Sequence, residues 1–115
     1  MANEKIYITE YAQVAVDSRD RSVLCGQEPP LAEQVDDISG GVAASSAAFN
    51  TDTKFIRVHT NAICSTLIGT NPTATTASKR LVAGQTEFMG VDKSKNGGTA
   101  GLSGTAMKLS GIINT

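Results

Sequence analysis

His59 is the only histidine in the chain, so acid–base chemistry near neutral pH would begin with it. A general base needs a nucleophile within hydrogen-bond reach and a carboxylate to orient the ring. Serines and aspartates are common, but none stands in a G-x-S-x-G setting that would present a hydroxyl. A lone histidine in the alternating run Lys54 to Thr60 reads as a surface or interface residue. For metal, His59 and Cys64 lie five residues apart across an Asn61-Ala62 break, whereas zinc sites use four ligands with paired spacings such as C-x-x-C. Asp36 and Asp37 are adjacent carboxylates that point apart on a strand and belong to no calcium loop. Gly98, Gly101 and Gly104 recur every third residue. No Gly-Lys-Ser/Thr closes them into a phosphate loop, so a hairpin or surface loop is the better reading. The expectation is a protein that is not an enzyme, with no catalytic residue, cofactor or metal.

The elements that would hold such residues are strands. The chain has 115 residues, no Trp, two Tyr and three Phe. Its Val, Ile and Thr suit a pleated surface, and its 11 glycines do not suit helix interiors. The length fits one domain, 1–115, with a modest core. Ten basic and eleven acidic residues give a net charge of −1. Counterion release needs clustered cations, and only Lys79-Arg80 and Lys93/Lys95 cluster, so neither nucleic acid nor an anionic membrane is an expected partner. The start of the chain offers no apolar leader, and no apolar run reaches transmembrane length. Assembly in a cytoplasm is expected, with Cys25 and Cys64 as buried thiols rather than a disulfide.

Taken in order, residues 1–11 form a terminal strand or arm, with Ile6 and Ile8 on one face and Tyr7, Thr9 and Tyr11 on the other. Such an arm either closes a sheet or adds to a neighbour's edge. Val14 and Val16 could continue it. Asp17 to Arg21 is a charged turn, Ser22 to Cys25 a short apolar run, and Gln27 to Pro30 a rigid extended loop. Leu31 to Ile38 fits a helical turn through Leu31, Val35 and Ile38, or a strand with Leu31, Glu33, Val35 and Asp37 on one face; the β-rich surroundings favour the strand. Val42 to Phe49 reads either as a short helix or as a flat strand.

From Lys54 onward the pattern sharpens. Ile56 and Val58 form a core face opposite Phe55, Arg57 and His59. Strands are expected at Ile63 to Ile68, at Leu81-Val82 and at Thr86 to Val91, with Phe88 as the large core residue of the last. Gly69 to Ser78 is a Thr-rich loop, and Asn96-Gly97 signals a hairpin. Thr105 to Ile113 closes the fold, with Met107, Leu109 and Gly111 on one face. Many short strands at this spacing imply an all-β fold, a sandwich or a barrel, and the reading taken is a small β-sandwich.

Residues 49–91 also resemble a pattern in small accessory proteins of tailed bacteriophages, encoded among virion structural genes. The shared elements are Phe55-Ile56-Arg57-Val58, Cys64 in the next strand, the Gly69-Thr70-Asn71-Pro72-Thr73 turn, and Ala83 to Phe88 ahead of Gly90-Val91. The chain departs from the pattern after Val91, where the long Asp92 to Gly104 segment replaces a short turn. The resemblance implies a capsid decoration, or cement, protein on the virion surface, a small jelly-roll-like β-sandwich, with the major capsid protein and further copies of itself, as dimer or trimer, as partners. The other virion role it allows is a head–tail connector, tail or fibre-base subunit. On this reading Ile6, Tyr7, Ile8 and Tyr11 are the expected interface residues, on an arm removable without loss of the sandwich.

Overall fold

Residues 3–91 and 107–114 are described by the computed structural model of the chain. Ten strands form three sheets, and no helix is present among these residues. The first sheet is antiparallel and runs β4 (Ala32–Asp37), β1 (Lys5–Tyr11), β6 (Phe55–Thr60), β9 (Thr86–Gly90). The second runs β5 (Ala44–Ser45), β10 (Lys108–Ile113), β7 (Cys64–Gly69), β8 (Lys79–Leu81), also antiparallel. A small hairpin, β2 (Val14–Val16) with β3 (Ser22–Gly26), stands apart from both. Its turn is held by Asp17, whose Oδ1 accepts the backbone N–H groups of Arg19 and Arg21, with Asp20 at φ 59°.

The strand order is that of a jelly roll. Leaving out the hairpin and counting from β4 as first round to β1 as eighth, the sheets read 1-8-3-6 and 2-7-4-5. The strand that ends an ordinary jelly roll is therefore supplied here by the N-terminal segment. Residues near the two ends of the described chain meet at the β6–β7 connection. Asn61 bonds to the backbone of Asn3 and Lys5, and the Asn114 N–H donates to the Ile63 carbonyl.

Of the two expectations for the terminal strand, the first holds: it joins this chain's own sheet, which corrects its assignment to strand addition on a neighbour. β1 is hydrogen-bonded along its whole length to β4 on one side and β6 on the other. Its alternation drives Ile6 and Ile8 between the sheets, where they join Ile38, Ile56, Val58, Leu81 and Leu109 in a core that includes Phe49, Met89 and Val91. The sheets approach closely at Gly111. A Cβ there would lie 2.4 Å from Cδ1 of Ile6 and 3.2 Å from Cγ2 of Ile38.

Further east of the core the strand expectations hold with one inversion. Ile56, Val58 and Thr60 are fully buried, as alternation requires. Phe88 is 48% exposed, and Met89 takes the core position in β9. Apolarity alone favoured the larger ring, but the register Ile56↔Met89 puts Met89 on the inward side. Leu31 to Ile38 is a strand rather than a helical turn, and its apolar Val35 faces outward while Asp36 faces inward. Val42 to Phe49 contains only the two-residue strand β5. The closing strand is Lys108–Ile113; the Asn96-Gly97 hairpin and the glycine triplet lie outside the described residues.

Burying two isoleucines contributes roughly 3–6 kcal/mol, a large share of the roughly 5–15 kcal/mol by which a domain is stable. Deleting residues 3–11 is therefore expected to abolish folding. Moving residues 3–30 to the C-terminus, joined to Asn114 by a short linker, should preserve it, because the permuted chain keeps every strand pair. Circular dichroism melts of the two variants check this. A folded deletion variant, or an unfolded permutant, would contradict the topology-based account.

Candidate interaction face

The two faces of the sandwich differ. Over the second sheet, the Thr-rich segment 69–78 folds back and covers it. Pro72 and Ala74 are buried, the Ala74 N–H donates to Ser110 Oγ at 2.9 Å, and Asn114 Nδ2 donates to Ser65 Oγ and to the Thr76 carbonyl. Ser65 and Ser110 are fully buried as a result. Over the first sheet, the described residues leave most of the outer face open.

That open face carries two rows set by strand register: Val35, Tyr7, His59 and Thr86 in one, Glu33, Thr9, Arg57 and Phe88 in the next. Tyr7, Val35 and Phe88 are between 41% and 53% exposed. One end is capped by the β2–β3 hairpin, which rests on Tyr11. The Tyr11 ring stacks on Phe55 at 5.2 Å, and Phe55 meets Phe88 at 6.0 Å. Gly26 lies so close that a Cβ there would sit 2.3 Å from the Tyr11 ring. The Tyr11 hydroxyl donates to Glu28 Oε2 at 2.6 Å. Burial, and then the Glu28 carboxylate, pushes its pKa up to about 12. Beyond Tyr11 the hairpin presents Leu24, 96% exposed.

Of the four residues expected at an interface, Ile6, Ile8 and Tyr11 are buried inside the chain and only Tyr7 reaches the surface. The correction has a simple cause. An interior strand offers no edge for strand addition, and its inward residues are already spent on the core. His59 lies on the same open face, with Nδ1 2.7 Å from Thr86 Oγ1 and its ring 6.4 Å from that of Tyr7. Neither neighbour is a carboxylate, so the contacts seen do not assemble a base and its orienter. Cys25 is exposed on the hairpin, contrary to the expectation of a buried thiol, while Cys64 is buried. Among the described residues no three His, Cys, Asp or Glu side chains gather as a metal-binding group.

Two buried carboxyls were missed from the sequence. Glu10, 2% exposed, continues the inward alternation of Ile6 and Ile8. Its Oε1 accepts the Asn50 N–H at 2.7 Å and the Thr53 hydroxyl at 2.9 Å, and its Oε2 accepts Gln34 Nε2 at 3.2 Å. Gln34 in turn exchanges two bonds with the backbone of Ala47. These bonds pin the poorly patterned segment before β6. Asp36 is the opposite case: 4% exposed, with no hydrogen-bond partner for Oδ2 among the described residues. It faces Gly111 and the apolar core. Burial, and then the adjacent Asp37, pushes its pKa up to about 6. The nearby Cys64 thiol is also held above its ordinary value, mainly by burial, which makes it a poor nucleophile.

Comparison with known protein families, with curated proteins and with solved structures returned no match.

Because folding raises the Asp36 pKa above 3.8, the native state holds its proton more tightly than the unfolded chain. This group therefore costs nothing below about pH 4 and costs increasingly more as pH rises toward 6. The full penalty is about 3 kcal/mol, since one pKa unit is worth about 1.4 kcal/mol. Asp36→Asn is expected to raise the melting temperature by several degrees at pH 7.5 and little at pH 4. A stability difference independent of pH across that window would refute the assignment.

Proposed function

We propose that this chain is a decoration protein of a tailed-bacteriophage head, docked on the outer capsid surface at capsomer junctions. The observation that carries the reading is the resemblance of residues 49–91 to small virion accessory proteins. It is supported by where those residues fall: they form β6 through β9 and supply Ile56, Val58, Leu81 and Met89 to the core. A jelly roll is compatible with virion work but hosts many functions, so the fold adds no choice of its own. The surface adds more. An open sheet face with scattered exposed apolar side chains and both signs of charge suits broad contact with a protein lattice.

The mechanism is mass action. A protein that binds the assembled shell and not its dissociated subunits stabilises the shell by its binding free energy. Identical contacts repeated around the head add through multivalency. On this reading Tyr7, Val35 and Arg57 meet the capsid protein, because all three lie on the open face and Tyr7 and Val35 stand in the row farther from the capping hairpin. The buried Ile6 and Ile8 act one step back, holding β1 so that Tyr7 points outward.

Quantitative protein analysis of purified particles tests the role. Copy numbers on the order of hundreds are expected, as repeated lattice sites require; about a dozen or fewer would indicate a connector or tail position and overturn the proposal. Tyr7→Asp combined with Val35→Asp should leave the melting temperature within a few degrees of wild type and lower head occupancy at least tenfold. Unchanged occupancy would move the contact to another surface.

A further inference from the structure

We infer that β9 is a self-pairing edge, through which two copies of this chain join their first sheets about a two-fold axis at Phe88. The inference goes beyond the head-binding reading and does not depend on it.

β9 ends the first sheet, and among the described residues no strand pairs with its outer side. Its ladder to β6 includes the Val91 N–H to Lys54 carbonyl and the Thr60 N–H to Gln85 carbonyl bonds. In the register Phe55↔Gly90 to His59↔Thr86, antiparallel alternation makes Gln85, Glu87, Met89 and Val91 bond inward. The N–H and C=O groups of Thr86, Phe88 and Gly90 therefore point outward. Unpaired edge groups of this kind are a template for another strand.

The edge is self-complementary. With the two-fold axis at Phe88, Phe88 pairs with its own copy and Thr86 with the partner's Gly90. Every outward backbone group then finds a partner, in three bonded pairs. The side chains agree: Phe88 meets Phe88, and Glu87, already ion-paired with Lys79, lies opposite Met89 rather than another acid. The opposite edge fails the same test. Pairing β4 with itself about Val35 would set Glu33 directly against Asp37, and like charges across a strand pair repel. β5 and β8 are only two and three residues long.

The surroundings supply apolar surface on both sides of β9. A groove of about 200 Å³ opens on its outer side against Leu24, Phe55 and Phe88. A second, of about 460 Å³ and of mixed polarity, opens on the other side against Leu67, Ile68 and Met89, with Thr66 and Lys79 also lining it. Strand addition draws its affinity from main-chain bonds and its specificity from such alternating pockets. Burying the exposed Leu24 and Phe88 from each copy gives the pair its hydrophobic term.

The test is the solution mass of the full chain, by sedimentation equilibrium, with Phe88→Glu as the disrupting variant and its melting curve as the folding control. Wild type is expected to sediment with the mass of two chains and Phe88→Glu with that of one. Paired Cα atoms in a bonded antiparallel pair lie about 5.5 Å apart, within disulfide reach. In a Cys25→Ser background, Phe88→Cys should therefore lock into a covalent two-chain species on mild oxidation, while Val35→Cys should not. This second measurement decides the matter if Phe88→Glu does not fold. A wild-type mass of one chain or of three, or a Phe88→Cys variant that cross-links no better than Val35→Cys, would overturn the inference.

Discussion

The double pairing of β1 is the constraint on which the remaining structure depends. A strand placed between β4 and β6 must send alternate side chains inward, and here they are Ile6, Ile8 and Glu10. Ile6, with Ile38, fills the space opposite β10, which approaches closely enough that a side chain at position 111 would press on both. Glu10 then reaches out of the same strand to organise Asn50, Thr53 and Gln34. One strand thus closes the first sheet, seats the second against it and tethers the connection that leads into β6. The same alternation leaves Tyr7 outward. Fold and surface are set by one periodicity.

The sandwich is also asymmetric, and the asymmetry has an identifiable origin. Hydroxyl and amide groups on the outer side of the second sheet bond the 69–78 segment, which shields it. The first sheet has aromatic and β-branched groups on its outer side instead, and only the hairpin on Tyr11 covers part of it. Among the described residues the outer face of the first sheet therefore stays partly open, with Tyr7, Val35 and Phe88 exposed on it. Asp36 shows a different compromise. An acid with one oxygen unpartnered among the described residues, buried between the sheets beside Gly111, is destabilising at neutral pH.

Much of this was legible in the residues, and the failures are instructive. Period-two alternation correctly placed Ile56 and Val58 and predicted an all-β sandwich. It also gave the right partition of Ile6 and Ile8 from Tyr7. It could not say whether β1 had one neighbour or two, because pairing is a tertiary fact that one strand's pattern does not contain. Phe88 was assigned inward on size, yet register decides facing, and Met89 won. The segment 42–49 had no pattern to read, since its Ala47 backbone is held by the Gln34 side chain and the chain just after it, at Asn50, by the distant Glu10 carboxylate. The open face escaped notice for a related reason: Val35, Tyr7 and His59 come from three strands that are distant in sequence and adjacent only in the sheet.

The central claim is that this jelly roll works as a repeated surface component of a phage head. Cryo-electron microscopy of whole particles, with density for this chain located in an icosahedrally averaged map, tests it most directly. The account predicts density of its size and shape at every equivalent capsomer junction on the outer shell, with the Tyr7 and Val35 face turned toward the capsid protein. Density confined to the portal vertex or tail, or an outer shell bare of it in particles that contain the protein, would contradict the account.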